Sequence, residues 1–367
     1  PPWFECVADR VSPRAGIRLA SSFVHQVANQ SSNPRRHNRR ERPFVLQFCR
    51  VTQADMTNKL AILVNLGTPE SLETGAIRSW LREFLSDPRV VTLPRVLWLP
   101  ILYLFVLTFR PGKVREKYAE IWREDSPLRL LTDSLADSVG NRLQAEGWTV
   151  RVAMTYGAPS LDDTLADATS FERTVVLPLY PQYSGSTTGA VYDRVGRILA
   201  RTNVLPNLQL INAYYTEPGY ARALADSLGD ADPGAHTVFS FHGIPVAQGA
   251  KEPYEAQCRE TASAVAAAAG LAEADWDIAF QSRFGPAPWL QPYTEDVLTA
   301  LGKAGRPVRV ICPGFAVECL ETLEEIDMTY RATYLEAGGT RFTYVPALND
   351  DAAHADLIAT LVRNGGA

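Results

Sequence analysis

Short apolar runs alternate with longer segments of helical periodicity along most of the chain. Eight runs rich in aliphatic and β-branched residues predict strands, at residues 60–66, 149–155, 174–179, 208–213, 237–241, 277–281, 308–311 and 342–345. Between them, apolar residues recur at helical spacing, for example over residues 71–85, 131–145, 254–269 and 320–335. Alternating strands and helices form parallel sheets through right-handed crossovers. Because the runs are nearly continuous apolar stretches, both faces of each strand should be covered.

This pattern predicts an α/β protein with two Rossmann-like lobes, each a four-stranded parallel sheet flanked by helices. The strands divide four and four, with a junction near residues 214–219. We therefore predict an N-terminal lobe over residues 58–214, a C-terminal lobe over residues 215–346 and a final helix over residues 349–364. A chain of 367 residues is long enough for two such cores.

The first 55 residues differ from this pattern. They contain nine arginines, no lysine and four acidic residues, in a chain whose formal charge is −5. With little periodicity and many Ser, Asn and Pro residues, this segment is expected to be disordered. It is interpreted either as an Arg-rich transit peptide or as sequence upstream of a start at Met56. The second interpretation is preferred, because Met56 directly precedes the first strand and the segment retains acidic residues.

Composition narrows the class of protein further. The mildly acidic balance gives no general signature of nucleic-acid binding. The five cysteines show no CxxC spacing, so they indicate neither a disulfide framework nor a zinc site, and they favour a reducing cytoplasm. The longest apolar run, residues 96–107, contains a proline and is shorter than the roughly 20 residues that a membrane span needs. We therefore expect no membrane-spanning helix.

Ligands of open parallel sheets bind beyond the carboxyl ends of the strands, so the segments that follow each strand are candidates for a site. These segments are rich in glycine, aromatic and hydroxyl residues: Gly67-Thr68-Pro69, Tyr156-Gly157, Tyr180-Pro181-Gln182-Tyr183, His242-Gly243, Ser282-Arg283-Phe284-Gly285 and Pro313-Gly314-Phe315. A cleft with this lining suits a flat, partly apolar ligand with polar edges.

His242 and the acidic residues around Glu321 are the candidates for chemistry. His242 stands at a strand end before Gly243, where an imidazole could accept a proton at neutral pH. A histidine satisfied by local backbone would give the same pattern. Glu321 and Glu325 lie four residues apart on one helix face and could hold a divalent cation or relay protons. Acidic residues are also common in the first turn of any helix, because the helix dipole favours them there.

Two further segments each have a structural and a functional interpretation. The run Ser184-Gly185-Ser186-Thr187-Thr188-Gly189 precedes a helix predicted to begin near Ala190. Its amides could bind an anion, or its hydroxyls could simply cap the helix. Residues 281–294 contain three prolines and Trp289, which indicates a rigid wall. Trp289 would either contact a ligand or pack between the lobes.

Six motifs in order resemble those of the ferrochelatases, which insert Fe²⁺ into a porphyrin at the end of heme synthesis. They are Asn65-Leu66-Gly67-Thr68-Pro69, Lys117-Tyr118 with Asp125-Ser126-Pro127-Leu128, residues 180–189, residues 240–245, residues 281–294 and residues 314–325. The resemblance extends from residue 59 to the C-terminus. It implies a chelatase-like fold and insertion of Fe²⁺ into protoporphyrin IX to form protoheme. The alternatives are a coproporphyrin ferrochelatase and a non-catalytic heme or metal carrier.

The resemblance also implies the site residues. His242 and Glu321 would be the central catalytic and metal-contacting pair, on opposite sides of a bent porphyrin, with Glu325 as a supporting carboxylate. The porphyrin-binding residues would be Leu66, Arg110, Tyr118, Ser126, Tyr156, Ser184 and Trp289. Of these, Arg110, Tyr118 and Ser126 would hold propionates.

Expectations about cofactors and partners follow from the same resemblance. No organic cofactor is implied, since Fe²⁺ is a substrate. Animal members carry a [2Fe-2S] cluster with one ligand at the position of Gly185 and three in a C-terminal extension. Gly185 is not a cysteine and the chain ends at Ala367 without the others, so we expect no cluster. Residues 98–109, called the lip below, would either touch the inner face of a membrane or form an ordinary core helix. We expect a cytoplasmic protein that binds protoporphyrin and Fe²⁺ and no nucleic acid.

Overall fold

Two four-stranded parallel sheets form the core of the protein, as the sequence predicts. The computed structural model describes residues 58–229, 232, 234–285 and 287–365. The expectations for residues 1–55, including the choice between a transit peptide and upstream sequence, lie outside these residues. A continuous hydrophobic core includes side chains of both sheets, such as Leu63 and Phe239.

The strands of the two sheets are parallel throughout. Their bounds are Lys59–Asn65 (β1), Trp148–Met154 (β2), Arg173–Pro178 (β3), Leu208–Leu210 (β4), His236–His242 (β5), Trp276–Gln281 (β6), Val308–Ile311 (β7) and Phe342–Val345 (β8). The first sheet has the order β2-β1-β3-β4 and the second β6-β5-β7-β8. The central strands β1 and β5 are buried along nearly their whole length, which explains their mostly apolar sequence. β4 ends at Leu210, three residues before its predicted end.

Helices cover the sheets. The α-helices are Thr74–Leu85 (α1), Arg95–Ile101 (α2), Leu107–Ile121 (α3), Pro127–Leu143 (α4), Leu161–Leu165 (α5), Thr188–Leu199 (α6), Pro218–Leu228 (α7), Val246–Gly249 (α8), Tyr254–Ala268 (α9), Thr294–Lys303 (α10), Arg331–Glu336 (α11) and Ala352–Asn364 (α12). Two segments, Leu102–Val106 and Glu321–Tyr330, are π-helical. α4 and α7 begin at proline, whose missing N–H costs nothing in the first turn.

α2, the π-helical segment and α3 form one helix from Arg95 to Ile121. It is 27 residues long and, by length and composition alone, apolar enough to cross a membrane. It is the one such helix among the described residues, and some helices of soluble proteins pass the same test. The helix is longer than the apolar run because residues 110–121 continue it with charged side chains, and the expectation of no membrane-spanning helix stays a prediction. Only 22% of its most apolar window is buried, so the interpretation of the lip as an ordinary core helix is also wrong.

The last helix, α12, returns the chain to the first sheet. It packs against α4 and α7, and ion pairs join Arg142 Nε to Asp356 Oδ1 at 2.5 Å and Arg363 Nε to Glu146 Oε1 at 2.7 Å. Such exposed pairs contribute about 0–1 kcal/mol each. The apolar face of α12, including the fully buried Ile358, therefore provides most of its attachment.

His354 on α12 should make the stability of the protein depend on pH. Its Nδ1 lies 2.6 Å from the carbonyl oxygen of Asn349, and its buried Nε2 has no partner among the described residues. Burial lowers the pKa of His354 to about 4, whereas a histidine in an unfolded chain titrates near a pKa of about 6.5. Between these values the unfolded chain binds a proton that the folded protein does not.

The free energy of unfolding should consequently fall by about 1.4 kcal/mol per pH unit, from this residue alone, as the pH decreases from about 6.5 to about 4. Above about pH 6.5 the residue should add no pH dependence, because it is neutral in both states. Urea denaturation over a series of pH values measures the slope. In H354Q the slope should be shallower by this amount, and an identical slope in H354Q would contradict the assignment.

Candidate active site

One of the two ring nitrogens of His242 is free to act as a base. It is the last residue of β5 and pairs in register with Gln281, the last residue of β6. Its Nδ1 lies 2.7 Å from the carbonyl oxygen of Gly243, and the hydroxyl of Tyr254 donates to the carbonyl of His242 at 2.8 Å. Because a carbonyl only accepts, Nδ1 must carry hydrogen, and in the neutral ring Nε2 is the free acceptor. Nε2 is therefore the atom that can take up a proton.

The segment after His242 packs tightly against residues 281–290. A Cβ on Gly243 would lie 2.8 Å from the carbonyl oxygen of Gln281 and 3.3 Å from the ring of Trp289, so only glycine fits there. The amide of Leu290 donates to the carbonyl of Ile244 at 3.0 Å. Trp289 thus packs beside the histidine segment, and its buried Nε1 has no partner in the described part of the chain. Its contact with porphyrin stays a prediction.

Gln281 joins this segment to the acidic helix, a role that the sequence reasoning missed. Its buried amide donates from Nε2 to the carbonyl of Glu321 at 2.9 Å and to Glu325 Oε2 at 3.3 Å. Its Oε1 accepts from Ser240 Oγ at 2.8 Å. The signal that could have found it is a polar residue that ends a strand directly after the apolar run Ile278-Ala279-Phe280. Gln281 holds the backbone of Glu321 next to the strand end that carries His242.

Glu321 begins the π-helix Glu321–Tyr330, where the sequence predicts an ordinary α-helix. π-helical turns are rare and recur at functional sites. The half-buried carboxylate of Glu321 faces the first lobe: the pKa of Tyr180 is raised by burial, then by Cys319 and then by this carboxylate, and the pKa of Tyr118 is raised by burial and then by this carboxylate. The same two causes raise the pKa of the neighbouring Cys319 thiol. Glu321 is therefore not a solvated helix start.

The carboxylate of Glu325 accepts several hydrogen bonds from neighbouring residues. It accepts from the amide of Ser282 at 2.8 Å, from Ser282 Oγ at 2.5 Å and from the hydroxyl of Tyr330 at 2.9 Å. Ser282 has a left-handed backbone with φ of 63°, which costs a residue other than glycine about 1–2 kcal/mol. The bonds to Glu325 offset this cost and hold the start of the 281–294 segment in place.

The other two acidic side chains of this helix region also have protein partners. Glu318 is buried and accepts from the Tyr344 hydroxyl at 2.8 Å, from the Ala347 amide at 3.0 Å and from Thr322 Oγ1. Burial raises the pKa of Glu318. Glu324 pairs with Lys117 Nζ of α3 at 2.8 Å. The carboxylate of Glu321 contacts the Cys319 thiol, but no N–H or O–H donor of the described residues bonds it, so Glu321 is the one of these four glutamates that is available to a ligand.

Three predicted porphyrin-binding residues lie at one edge of the first sheet. Leu66 follows β1, Tyr156 follows β2 and Ser184 lies in the segment after β3. The hydroxyl of Tyr156 donates to Asp87 Oδ2 at 3.0 Å, and Ser184 Oγ lies 3.1 Å from Ser186 Oγ. The structure brings these residues together because parallel strands end at the same edge.

The remaining predicted residues lie on the helices beside this edge. Tyr118 is buried on α3 with its ring edge-on to Trp80 and Trp122, at centroid distances of 6.2 and 6.0 Å. Ser126 is buried immediately before α4. The guanidinium of Arg110 lies over the ring of Phe284, 4.6 Å from its centroid, and burial lowers the pKa of Arg110. Arg110 thus contacts the second lobe as well as the first.

The hydroxyl-rich segment before α6 binds a carboxylate of the chain itself. The amide of Gly185 donates to Glu252 Oε2 at 2.5 Å. α6 begins at Thr188, and Thr187 makes no side-chain capping bond, so the interpretation as plain hydroxyl capping is wrong. The sequence suggested that these amides could bind an anion. For the amide of Gly185, that anion is the carboxylate of Glu252.

His242 and Glu321 supply one imidazole and one carboxylate. Within the described residues, no group of three or more His, Cys, Asp or Glu side chains is arranged to hold a metal ion. A metal passing between His242 and Glu321 would take its other ligands from the substrate or from water.

Comparisons with known proteins agree on one family. The family model described as Ferrochelatase matches residues 59–365. The protein named Ferrochelatase of Psychrobacter sp. (strain PRwf-1) is 44% identical over 317 residues, which cover 82% of this chain and 93% of that protein. The Coproporphyrin III ferrochelatase of Streptococcus mutans is also 44% identical, over 316 residues that cover 82% of this chain and 96% of the relative.

A solved structure has a similar fold. SirB from Bacillus subtilis, determined with Fe³⁺, superposes with a TM-score of 0.52 at 10% sequence identity, covering 84% of this chain and 96% of that one. At this identity the similarity concerns the fold alone.

Proposed function

The chain belongs to the ferrochelatase family and is a lyase that inserts iron into a porphyrin in heme synthesis, and from that premise we propose protoporphyrin IX as its substrate and protoheme as its product. The observation that supports the assignment of the chemistry is the arrangement around Gln281. This side chain bonds the backbone of Glu321 and lies in register with His242. Gln281 thereby ties the backbone of the residue with the available carboxylate to the strand pair that carries the proton acceptor.

In the proposed reaction, a flat macrocycle is bent so that its nitrogens tilt out of plane. Two pyrrole N–H protons leave, and Fe²⁺ loses water as it enters. Nε2 of His242 accepts the two protons one after the other, releasing the first to solvent before it takes the second, while the carboxylate of Glu321 stabilises the entering Fe²⁺ on the other side. Glu325 has a supporting role, because its hydrogen bonds fix Ser282 at the start of the wall formed by residues 281–294. Binding energy from the rim of the macrocycle supplies the distortion.

The proposed porphyrin site has an aromatic wall in the first lobe. Trp80, Phe84 and Tyr156 form a chain of ring contacts with Tyr118. This surface suits the vinyl and methyl edge of protoporphyrin better than an edge with further propionates. The residues proposed to contact the macrocycle are Leu66, Arg110, Tyr118, Ser126, Tyr156, Ser184 and Trp289, with Arg110, Tyr118 and Ser126 at the propionates.

The choice of porphyrin is testable by steady-state kinetics. We expect kcat/KM with protoporphyrin to exceed that with coproporphyrin by about tenfold or more, because two additional carboxylates would lose water against the aromatic wall. Anaerobic assays with Fe²⁺ that follow the porphyrin spectrum measure both values. Equal or higher kcat/KM with coproporphyrin would assign the chain to the reaction named for the Streptococcus mutans relative, which is equally similar in sequence.

The proposed enzyme works without an iron–sulfur cluster. The amide of Gly185 is bonded to Glu252, and the described cysteines, Cys258, Cys312 and Cys319, are all buried. Protein purified under anaerobic conditions should accordingly lack iron–sulfur absorption in the visible range. A stoichiometric cluster signal would contradict this part of the proposal.

We place the enzyme in the cytoplasm, with its lip on the inner face of a membrane. Large apolar side chains are exposed there and on the preceding turn: Leu93, Val96, Leu97, Ile101, Tyr103, Leu104, Phe105 and Phe109, here called the apolar face. These are eight of the fourteen exposed large apolar side chains of the described residues, so the apolar surface is concentrated. A contiguous surface of this kind is typical of a membrane or protein contact.

A further inference from the structure

A cavity of about 520 Å³ opens beside the apolar face, between α1 and the helix from Arg95 to Ile121. Its lining is mostly polar and cationic: Gly75, Arg78, Ser79, Arg82, Tyr103, Leu107 and Thr108. Tyr103 belongs to both the cavity and the apolar face. Two guanidinium groups and two hydroxyls therefore lie directly next to exposed apolar side chains.

The two arginines of the cavity have no internal counter-charge. Arg78 Nε donates to the carbonyl of Leu107 at 2.9 Å, which leaves its terminal nitrogens free, and Arg82 Nη2 lies 3.4 Å from Ser79 Oγ. No carboxylate of the described residues forms an ion pair with either. Four residues apart on α1, they share a helix face, where like charges repel. A bound anion would remove this repulsion.

The surroundings of the cavity are also cationic. Residues 88–115 contain five basic side chains and no acidic one, in a chain whose formal charge is −5. The basic side chains are Arg89, which is neutralised by an ion pair with Asp193, and Arg95, Arg110, Lys113 and Arg115. A second copy docking symmetrically through this face would bring like charges together. An apolar face with a cationic border instead complements a membrane that contains anionic lipids.

We propose that Arg78 and Arg82 bind the phosphate of an anionic phospholipid whose acyl chains lie along the apolar face. The proposal rests on the membrane contact of the lip proposed above. Planar guanidinium groups bind phosphate through paired N–H donors, and the hydroxyls of Ser79 and Thr108 add two donors. Tyr103 lies where apolar face and cavity meet, as tyrosines do at the level of lipid headgroups. Headgroup binding would orient the cleft entrance on the membrane.

Vesicle co-sedimentation tests the site. Wild-type protein is compared on vesicles of phosphatidylcholine and on vesicles of equal parts phosphatidylcholine and phosphatidylglycerol. R78Q/R82Q should bind the anionic vesicles roughly 30-fold more weakly than wild type, with little change on phosphatidylcholine. R201Q/R222Q removes the same charge from exposed arginines elsewhere and should lose far less. F105A should weaken binding to both kinds of vesicle.

The outcomes test the headgroup site separately from the proposed membrane contact of the lip and from the iron-insertion reaction. Equal losses in R78Q/R82Q and R201Q/R222Q would overturn the site and leave the lip contact standing. Absence of wild-type binding to either vesicle would overturn both. A dimer in sedimentation velocity that R78Q/R82Q dissociates would assign the face to a second copy and also overturn the site. Turnover in detergent solution should be unchanged in R78Q/R82Q, so the iron-insertion reaction is judged independently.

Discussion

His242→Ala is expected to lower kcat for iron insertion by about 10²–10⁴-fold while porphyrin affinity is largely retained. The variant removes Nε2. This nitrogen is free to accept a proton because the other ring nitrogen, Nδ1, bonds the carbonyl oxygen of Gly243. Loss of a general base has effects of this size. Porphyrin binding depends on the surrounding walls and should persist. Anaerobic turnover assays measure kcat, and quenching of tryptophan fluorescence by porphyrin measures binding.

A second histidine on the same strand provides the control. His236 lies at the opposite end of β5, with Nε2 2.7 Å from Asp277 Oδ2. H236Q should therefore affect stability but leave kcat close to the wild-type value. If H242A retained wild-type kcat, the role of proton acceptor would have to be given to another group.

Glu321→Gln is expected to reduce kcat/KM for Fe²⁺ by about 10²-fold or more, because an amide of the same shape cannot neutralise the entering cation. The carboxylate of Glu321 has no N–H or O–H donor from the described residues, so it is the one available to a metal. Steady-state rates over a range of Fe²⁺ concentrations measure the loss. Porphyrin affinity and the unfolding midpoint in urea should change little.

The neighbouring Glu325 should behave differently. Its carboxylate accepts from Ser282 and Tyr330, so E325Q should lower the free energy of unfolding by about 1.5–3 kcal/mol. Its kinetic loss should be smaller than that of E321Q. E336Q, which removes an exposed carboxylate at the end of α11, should match wild type in both measurements. A larger kinetic loss in E325Q than in E321Q would reverse the two roles.

The strands and most helices were predictable because their signal is local. A buried parallel strand needs a run of mostly apolar and β-branched residues, so β1, β5 and β7 could be located to within one residue from sequence. The π-helix at Glu321 could not, since the apolar residues Leu320, Leu323, Ile326 and Tyr330 recur at the three- and four-residue spacing of an ordinary α-helix. The exposure of the 95–121 helix was equally hidden, because an apolar segment has the same composition whether it is buried or faces a membrane.

The sequence by itself determined two parallel sheets and the kinds of side chain at their carboxyl edges, since both depend on residues close together in the chain. Only the tertiary structure decided which of four similar glutamates is available to a metal. Glu318, Glu324 and Glu325 differ from Glu321 through partners such as Tyr344, Lys117 and Ser282, which lie 26, 207 and 43 residues away. Hydrogen bonds and ion pairs act over a few ångströms in space, so no local pattern records them.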